Sequence, residues 1–375
     1  MITKSSKSKP SSTAMDPVIW SKLPQELLEY ILCFLPLKTF LSLRSTCKHF
    51  NSLVYSPTFI TKHSSGSGSG SGLCSFLLLS HQQFYSHFPL YDTIIGSWRD
   101  LALPFSLFPP FGSSQFNIIS SSNGLLCFAL PSCCSFLVCN VLAKSSRVIE
   151  LPFFPFSFEL LTLVSTPKGY KIFTLCTKFS SNQAFVYDSV VHSWTEHDGY
   201  QPLLFENFHQ EGAFYDGSLC FTTPEPFSVV CFDLGTGKWG NLNVEMPREL
   251  TFVRLVSGVS DRKKLYMLGG IGRNGISRSI RLWELKEGKK WEEMERLPEL
   301  MCRKFVSVCY HNYEHVYCFW HRGMICVCCH TWPEILYYKV ERRSWHWLPK
   351  CPRLPDKWSC GFRWFSFVPQ LHALA

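Results

Sequence analysis

Residues 232–239 read Phe-Asp-Leu-Gly-Thr-Gly-Lys-Trp, in which the end of an apolar run is followed by a glycine-rich turn and a tryptophan. The same pattern recurs along the chain, with a step of five to seven residues from the end of the run to the tryptophan. The copies are Asp92…Trp98, Asp188…Trp194, Asp233…Trp239, Glu284…Trp291 and Val340…Trp345, with a degenerate copy from Asn140 to Arg147. The final positions of successive copies are 45 to 54 residues apart. Six copies at this spacing predict a chain built from six similar units of about 50 residues.

Each unit divides into four short segments that have the composition of strands. In the fifth unit these are residues 251–256, 264–268, 279–285 and 291–294. The first unit has only three, at residues 76–80, 89–91 and 98–101, and the missing inner strand is predicted at residues 361–368. The first and last segments of the β-rich region then form one blade together. Such a shared blade closes the ring of blades and leaves no strand edge unpaired. The predicted fold class is therefore mainly β with a small α module, the β part being a β-propeller of six blades, with seven still open.

A Gly/Ser tract at residues 64–72 separates the β-rich region from a leucine-rich one. Such a tract behaves as a flexible linker and marks a domain boundary. The expected organisation is a disordered tail at residues 1–14, a helical module at 15–60, the linker at 61–74 and the propeller at 75–375. The residues leave open whether Met1 or Met15 starts the native chain.

The leucine-rich region carries the signals of three short helices. Pro24 suits a first helical turn, and Glu26 favours the positive end of the helix dipole. Apolar residues follow at helical spacing until Pro36, and two shorter apolar stripes come after it. About 40 residues cannot bury this many leucines internally, so the apolar surface left over predicts a partner.

The order and spacing of these residues resemble the F-box family. The matching residues are Leu23-Pro24, Glu26-Leu27-Leu28, Ile31-Leu32, Leu35-Pro36, Leu41, Leu43-Arg44 and Cys47-Lys48. Phe50 stands where the family usually has tryptophan, and it keeps an aromatic ring at that position. The resemblance implies docking onto a Skp-type adaptor and, through it, a cullin. The contacts that it implies are Leu23, Pro24, Leu27, Ile31 and Leu35.

The C-terminal region, roughly residues 73–375, resembles the kelch-repeat propellers. Only Gly269-Gly270 keeps the double glycine of that family, so the repeats are degenerate. An alternative for the helical module is a small bundle that packs on the propeller, which the Gly/Ser tract disfavours because a flexible tether does not hold two bodies together.

The composition predicts that the chain is globular and that it resides in a reducing compartment. Hydrophobic residues make up 46% of the 375 residues, which excludes global disorder. The 18 cysteines lie in apolar runs without the regular spacing of a disulfide framework, and neither a signal peptide nor a membrane span is expected. A net charge of +9 is moderate for this length and does not predict nucleic-acid binding. The expected location is the nucleus, the cytoplasm or both.

The loops of a propeller alternate between its two faces, and here one face has the longer ones. These are predicted at residues 104–115, 152–158, 195–211 and 321–333. Long loops on a rigid scaffold usually carry binding, so this face is expected to hold a target protein. The candidate residues are Phe105, Phe108, Phe111, Phe208, His209, Arg273, Arg278 and Arg322. The alternative is that these aromatic residues only pack the rim of the ring.

Two other patterns could indicate a nucleotide site or a metal site, but neither is expected to form one. Residues 235–240 and 270–275 fit the dinucleotide fingerprint, but no strand-helix-strand context follows either segment. Cys326, Cys328, Cys329 and His330 are dense enough for a metal, yet their spacing matches no zinc-finger or ribbon geometry. No catalytic residue, metal or cofactor is predicted.

The combined prediction is a non-catalytic substrate receptor of an SCF-type ubiquitin ligase. In it the F-box docks the adaptor and the propeller binds a target protein for ubiquitination. One alternative is a non-catalytic F-box protein that sequesters a regulator outside ubiquitination. A third possibility is an enzyme built on the propeller, but the sequence shows none of the catalytic motifs that such an enzyme would need.

Overall fold

The computed structural model describes residue 18 and residues 22–66, 74–84, 87–103, 107, 117–130, 135–151, 158–178, 181–200, 209–258, 264–287, 290–354 and 360–375. The chain divides into two compact units, Met1–Leu73 and Cys74–Ala375. The described part of the first unit is helical, and the second is built almost entirely from strands.

The helical unit contains four helices among its described residues. They are α1 (Gln25–Cys33), α2 (Leu37–Leu43), α3 (Lys48–Leu53) and α4 (Pro57–Gly66). Helices α1 to α3 match the three predicted ones, and α4 is an addition. Its Phe59 and His63 are buried against Phe40, with the rings of Phe40 and Phe59 4.8 Å apart. The expected end of the module at residue 60 lies inside α4, because this i, i+4 pair continues the helical pattern toward the serines.

The second unit contains six four-stranded antiparallel sheets within its described residues. Blade 1 consists of β24 (Arg363–Phe367), β1 (Phe76–Ser80), β2 (His87–Asp92) and β3 (Ser97–Ala102), from the inside outward. Blade 2 consists of β4 (Asn117–Ser122), β5 (Leu125–Leu130), β6 (Ser135–Asn140) and β7 (Ser145–Glu150). Blade 3 consists of β8 (Phe158–Thr166), β9 (Gly169–Lys178), β10 (Ser181–Asp188) and β11 (Ser193–Asp198).

The remaining three blades follow in the same order along the chain. Blade 4 consists of β12 (Ala213–Tyr215), β13 (Ser218–Thr222), β14 (Val229–Asp233) and β15 (Trp239–Asn241). Blade 5 consists of β16 (Leu250–Gly258), β17 (Lys264–Arg273), β18 (Ile276–Lys286) and β19 (Lys290–Arg296). Blade 6 consists of β20 (Val316–His321), β21 (Met324–Cys329), β22 (Trp332–Lys339) and β23 (Ser344–Trp347). The prediction of a six-bladed propeller is therefore confirmed.

The ring closes through β24, as the missing strand of the first unit predicts. β24 pairs antiparallel with β1 over five residues, from Phe76 opposite Phe367 to Ser80 opposite Arg363. The buried apolar side chains form six clusters, one between each pair of neighbouring blades. The cluster between blades 6 and 1 contains Trp364 of β24, so the C-terminal strand also supplies part of the core.

The acid or asparagine of the sequence repeat caps the turn between the third and fourth strands. The Oδ1 atom of Asp233 accepts hydrogen bonds from the backbone N–H groups of Gly235 at 2.8 Å and Thr236 at 2.6 Å. Asp92, Asn140 and Asp188 accept equivalent bonds in their own turns. A short side chain that binds the backbone two residues on stabilises a tight turn, which explains why the same residue type recurs there.

In blades 3 and 4 the tryptophan of the repeat packs inside its own blade and donates a hydrogen bond to the preceding one. Trp239 lies opposite Phe232 on the neighbouring strand, with ring centroids 5.1 Å apart. Its indole N–H donates to the carbonyl oxygen of Asp198, at the end of β11, at 2.8 Å. Trp194 repeats this arrangement with the carbonyl oxygen of Glu150 in blade 2. Cross-strand aromatic pairs stabilise sheets, so the tryptophan helps to hold the outer strand on its blade.

One helix of the propeller unit was not predicted. Helix α5 (Glu299–Cys309) connects β19 to β20 and buries Cys302, Phe305 and Cys309. Pro298 precedes it and Glu299 lies in its first turn, and both are helix-start signals. The helix belongs to the connection between blades 5 and 6, on the same face as the other connections between blades.

The expectation of a long loop at residues 321–333 is wrong. His321 ends β20, a two-residue turn follows at Arg322-Gly323, and β21 occupies residues 324–329. Both turn residues have positive φ, 43° and 79°, which is the backbone geometry of the tight hairpin turns that match strand twist. Arg322 therefore lies on the face of the short turns, opposite to the face on which it was expected.

Candidate functional site

The first candidate site is an exposed apolar face on α1. The side chains of Leu27 and Ile31 are 46% and 37% exposed, and those of Tyr30 and Phe34 are 54% and 53% exposed. The rings of Tyr30 and Phe34 meet edge to face, with centroids 4.9 Å apart. An exposed cluster of four large apolar side chains on one short helix is typical of a protein-protein contact.

The local sequence explains why this face is left open. The backbone of Pro24 is extended, with φ −55° and ψ 142°, and α1 begins directly after it with Glu26 in the first turn. Leu32 and Cys33 are buried within the helical unit, where the Cys33 thiol lies 3.9 Å from the carbonyl oxygen of Phe59. Because α1 buries the side that carries Leu32 and Cys33, its other side is exposed. Leu27 and Ile31, one turn apart, lie on that exposed side.

The predicted adaptor contacts all lie in or beside α1. Leu27 and Ile31 are on its exposed face, and Pro24 is exposed at its start. Leu23 and Leu35 are half-buried at either end. Their role in adaptor binding stays a prediction.

The second candidate site is the propeller face that carries the connections between blades. We call it the long-loop face, and its described parts include residues 209–212, 242–249, 274–275, 297–315, 330–331, 348–354 and 360–362. Arg273 and Arg278 flank the Asn274-Gly275 turn on this face, and both side chains are exposed. Arg273 forms an ion pair with Glu249 at 2.8 Å. Phe105, Phe108, Phe111 and Phe208 lie outside the described residues.

His209 lies on this face, at the mouth of the central channel, with two other histidines. Its ring stacks on that of His330, with centroids 4.0 Å apart and planes 16° from parallel. His315 lies 5.8 Å from His209 and 6.2 Å from His330. Burial, followed by the charges of His330, Arg363 and His315, lowers the pKa of His209 to about 3. Burial likewise lowers the pKa of His330 to about 4, so both rings are neutral at pH 7.

Below the histidines a small cavity of about 110 Å³ opens into the ring. Residues of β4, β20 and β24 line it, together with His209 and Glu211 just before β12. Glu211 accepts a hydrogen bond from the hydroxyl of Ser120 at 2.9 Å, and burial raises its pKa to about 7. Arg363, the first residue of β24, lines the same cavity. The site therefore combines Arg363, the neutral rings of His209 and His330, and a carboxyl group that is partly protonated at neutral pH.

Sequence reasoning found His209 and missed most of its neighbours. From the sequence, His330 was considered only as part of a possible metal cluster with three cysteines. No motif or spacing in the sequence distinguishes His315, Arg363 or Glu211. Cys326 and Cys328 are buried between blades 6 and 1, whereas Cys329 faces the core between blades 5 and 6. Within the described ranges, no group of three or more His, Cys, Asp and Glu side chains is placed to hold a metal ion.

The two dinucleotide-like segments are strand connections. Residues 235–237 form the turn between β14 and β15, and Asn274-Gly275 forms the turn between β17 and β18. Neither is followed by a helix, as the sequence predicted. In the described part of the chain, no helix is long and apolar enough to cross a membrane.

Known proteins resemble the chain over nearly its whole length. The F-box domain model matches residues 20–62, which cover α1 to α3 and half of α4. The chain is 55% identical to F-box/kelch-repeat protein At5g43190 of Arabidopsis thaliana, over 97% of this chain and 90% of that protein. It is 26% identical to F-box only protein 6 of Arabidopsis thaliana, over 90% of this chain and 71% of that protein. Protein ABERRANT PANICLE ORGANIZATION 1 of Oryza sativa subsp. japonica is also 26% identical, over 96% of this chain and 92% of that protein.

The two units have complementary roles in such proteins. An F-box domain implies binding to a Skp-type adaptor, and its combination with a kelch-type propeller supports a substrate-adaptor role. F-box/kelch-repeat proteins are generally non-catalytic. On the match of the F-box domain and the 55% identity over nearly the full length, this chain belongs to the F-box/kelch-repeat protein family.

Proposed function

We propose that this protein is the target-binding subunit of an SCF-type cullin-RING ubiquitin ligase. The observation that carries the proposal is the exposed apolar face of α1, where Leu27 and Ile31 lie inside the matched F-box. In this role α1 and its flanking Leu23, Pro24 and Leu35 bind a Skp-type adaptor, which joins the chain to a cullin. The long-loop face of the propeller holds the target protein.

The chain itself supplies no reacting group in this proposal. Holding a target lysine near the charged conjugating enzyme converts an encounter between two proteins into a reaction within one assembly, which raises the rate by proximity. The propeller suits this role because its ring is closed by β24 and presents loops on a rigid scaffold. We place this activity in the nucleus, the cytoplasm or both, and imaging of a fluorescent fusion tests that location.

The adaptor contact is tested by adding charge to the apolar face of α1. In a pull-down of the full chain with a purified Skp-type adaptor and cullin, the double variant Leu27→Glu, Ile31→Glu is expected to lose capture by at least about tenfold. Two carboxylates buried against an apolar partner surface would remain unpaired, at a cost of several kcal/mol.

A matched control is available on the propeller. Val190 is an exposed aliphatic side chain in the turn between β10 and β11, 55% exposed, so Val190→Glu makes the same chemical change elsewhere. Capture of this control should equal that of the parent chain. Equal capture of the double variant and the parent, or no capture of a folded parent, would refute the proposed assembly.

The alternative of a sequestering protein predicts adaptor binding without target turnover. Proteins that co-purify with the propeller unit are therefore followed in ubiquitination reactions containing the parent chain or the double variant. Ubiquitination that requires Leu27 and Ile31 supports the ligase role, whereas stable binding without modification favours sequestration.

A further inference from the structure

The cavity at the mouth of the central channel has the rigid walls and the volume of a small-ligand site. Its walls come from the inner strands of several blades, so they are held by the ring and not by a single loop. A volume of about 110 Å³ exceeds by several-fold what one water needs. A group of a few heavy atoms fits in that space.

Arg363 is held rigidly at the edge of this cavity by bonds to its neighbours along the chain. The backbone N–H of Phe362 donates to the carbonyl oxygen of His330 at 3.0 Å. The hydroxyl of Tyr317 donates to the carbonyl oxygen of Phe362 at 3.2 Å and accepts from the N–H of Trp364 at 2.7 Å. The backbone on both sides of Arg363 is therefore fixed, which anchors the base of its side chain at the cavity.

A buried donor at the cavity lacks an acceptor. The Nε of Arg363, which lines the cavity, is buried and has no hydrogen-bond partner among the residues that the structure describes. Buried polar groups are normally paired, because an unpaired one costs the free energy of its desolvation. Arginine nitrogens only donate, so this unpaired Nε points to a ligand that supplies an acceptor.

The positive charge of Arg363 also favours a ligand that supplies acceptors, and in particular an anion. Glu211 is the one acidic side chain among the described residues of the cavity wall, and the charge of Arg363 acts on it. Glu211 is bound to Ser120, and burial raises its pKa to about 7, so it is partly protonated at neutral pH. A cation that is partly buried without a full counter-charge favours the binding of an anion.

We propose that the mouth of the channel, formed by Arg363, His209, His315 and His330, binds a carboxylate group. The planar guanidinium group matches the two oxygens of a carboxylate, and an anion there supplies an acceptor to the unpartnered Nε of Arg363. The carboxylate belongs either to a free organic acid or to an acidic side chain of the bound target. In the second case the inference rests on the proposed role of the long-loop face and names what that face recognises.

Isothermal titration calorimetry of the full chain at pH 7.4 distinguishes the two sources. Glutarate represents a free organic acid, and the capped tripeptide acetyl-Gly-Glu-Gly-amide represents an acidic side chain. Glutaramide and acetyl-Gly-Gln-Gly-amide are the matched neutral probes. Binding of either acidic probe, with at least about tenfold weaker binding of its neutral partner, is expected, because charged hydrogen bonds are about twice as strong as neutral ones.

Three variants assign the binding to Arg363. Arg363→Gln is expected to raise the Kd of the acidic probe at least about tenfold, and Arg363→Lys, which keeps the charge but not the planar group, is expected to raise it less. Glu211→Gln removes a competing negative charge and is expected to lower the Kd, a gain that a misfolded chain does not show. Near-ultraviolet circular dichroism checks the fold of each variant.

Arg342→Gln is the matched control, because Arg342 is exposed in the turn between β22 and β23, on the opposite face. Its Kd should stay within about twofold of the parent value. Absence of binding by both acidic probes, or equal weakening by Arg363→Gln and Arg342→Gln, would overturn the proposal. These outcomes leave adaptor capture through α1 untouched, so failure of this inference and failure of the ligase role are separate results.

Discussion

His321 connects the two ends of the propeller ring through side-chain hydrogen bonds. The residue is fully buried at the end of β20. Its Nδ1 lies 2.8 Å from the hydroxyl of Ser366 in β24, and its Nε2 lies 2.8 Å from the hydroxyl of Ser75 just before β1. One side chain thus joins blade 6 to both chain segments that meet in blade 1, so this histidine has a structural role.

Replacement of His321 by leucine is expected to lower the free energy of unfolding by about 2–4 kcal/mol, because its buried hydrogen bonds to Ser75 and Ser366 are lost. The change is measured as a shift of the urea midpoint of the propeller unit at pH 7.5. The adjacent exposed Arg322→Lys serves as the control and should change the free energy by less than about 0.5 kcal/mol. A midpoint for His321→Leu equal to that of the control would contradict the structural role.

At the scale of elements, the closing strand β24 differs from the other inner strands because it joins residues far apart in the sequence. Phe362, Trp364, Phe365 and Phe367 are all buried, and they contribute to the cores on both sides of blade 1. Removing β24 would also expose the edge of β1, whose five paired residues would lose their partners. An exposed strand edge promotes aggregation.

Truncation after residue 360 is therefore expected to prevent stable folding of the propeller. Deletion of one large buried aromatic side chain costs about 3–5 kcal/mol, so losing four exceeds the usual net stability of about 5–15 kcal/mol. Soluble yield, near-ultraviolet circular dichroism and dye binding to exposed apolar surface measure the outcome. A chain that lacks only residues 374 and 375 is the control, since Leu374 is 64% exposed. A soluble, cooperatively unfolding chain without β24 would show that ring closure is dispensable.

For the whole molecule, the buried histidines predict sensitivity to acid. The pKa values of His209 and His321 are lowered to about 3 and that of His330 to about 4, from an ordinary value of 6.5. These rings are neutral when folded and accept a proton when unfolded, so stability is full above pH 6.5 and falls as the pH decreases toward 4. Glu211 acts in the opposite direction, because its raised pKa of about 7 stabilises the folded chain as the pH falls from 7 to 4.5.

The net expectation is a lower melting temperature at pH 5 than at pH 7.5, because three histidines oppose one carboxyl group. The Glu211→Gln variant should show a larger drop, since it removes the opposing group. The His321→Gln variant should show a smaller drop, although it is less stable at pH 7.5. Differential scanning calorimetry at several pH values measures all three chains, and a melting temperature independent of pH would contradict the assignment of neutral buried histidines.

The sequence by itself determined the six repeats, the closing strand and the F-box. The repeats depend on residues that are close along the chain: an acid caps a turn two residues away, and a tryptophan packs across a short hairpin. The closing strand follows from the count of four strands in each repeat. His209 was found as part of a long loop, and the F-box resemblance pointed to Leu27 and Ile31 on α1. Patterns of this kind persist in the sequence because the interactions that require them are local.

Only the tertiary structure decided what surrounds the channel and on which face each turn lies. Arg322 was assigned to the wrong face because a two-residue hairpin turn was read as part of a long loop. Helix α5 was missed because it lies in a connection that the repeat does not describe. His209, His330 and Arg363 are separated by 33 to 154 residues and meet only because the ring closes. Their proximity comes from packing between blades, which spacing along the chain does not encode.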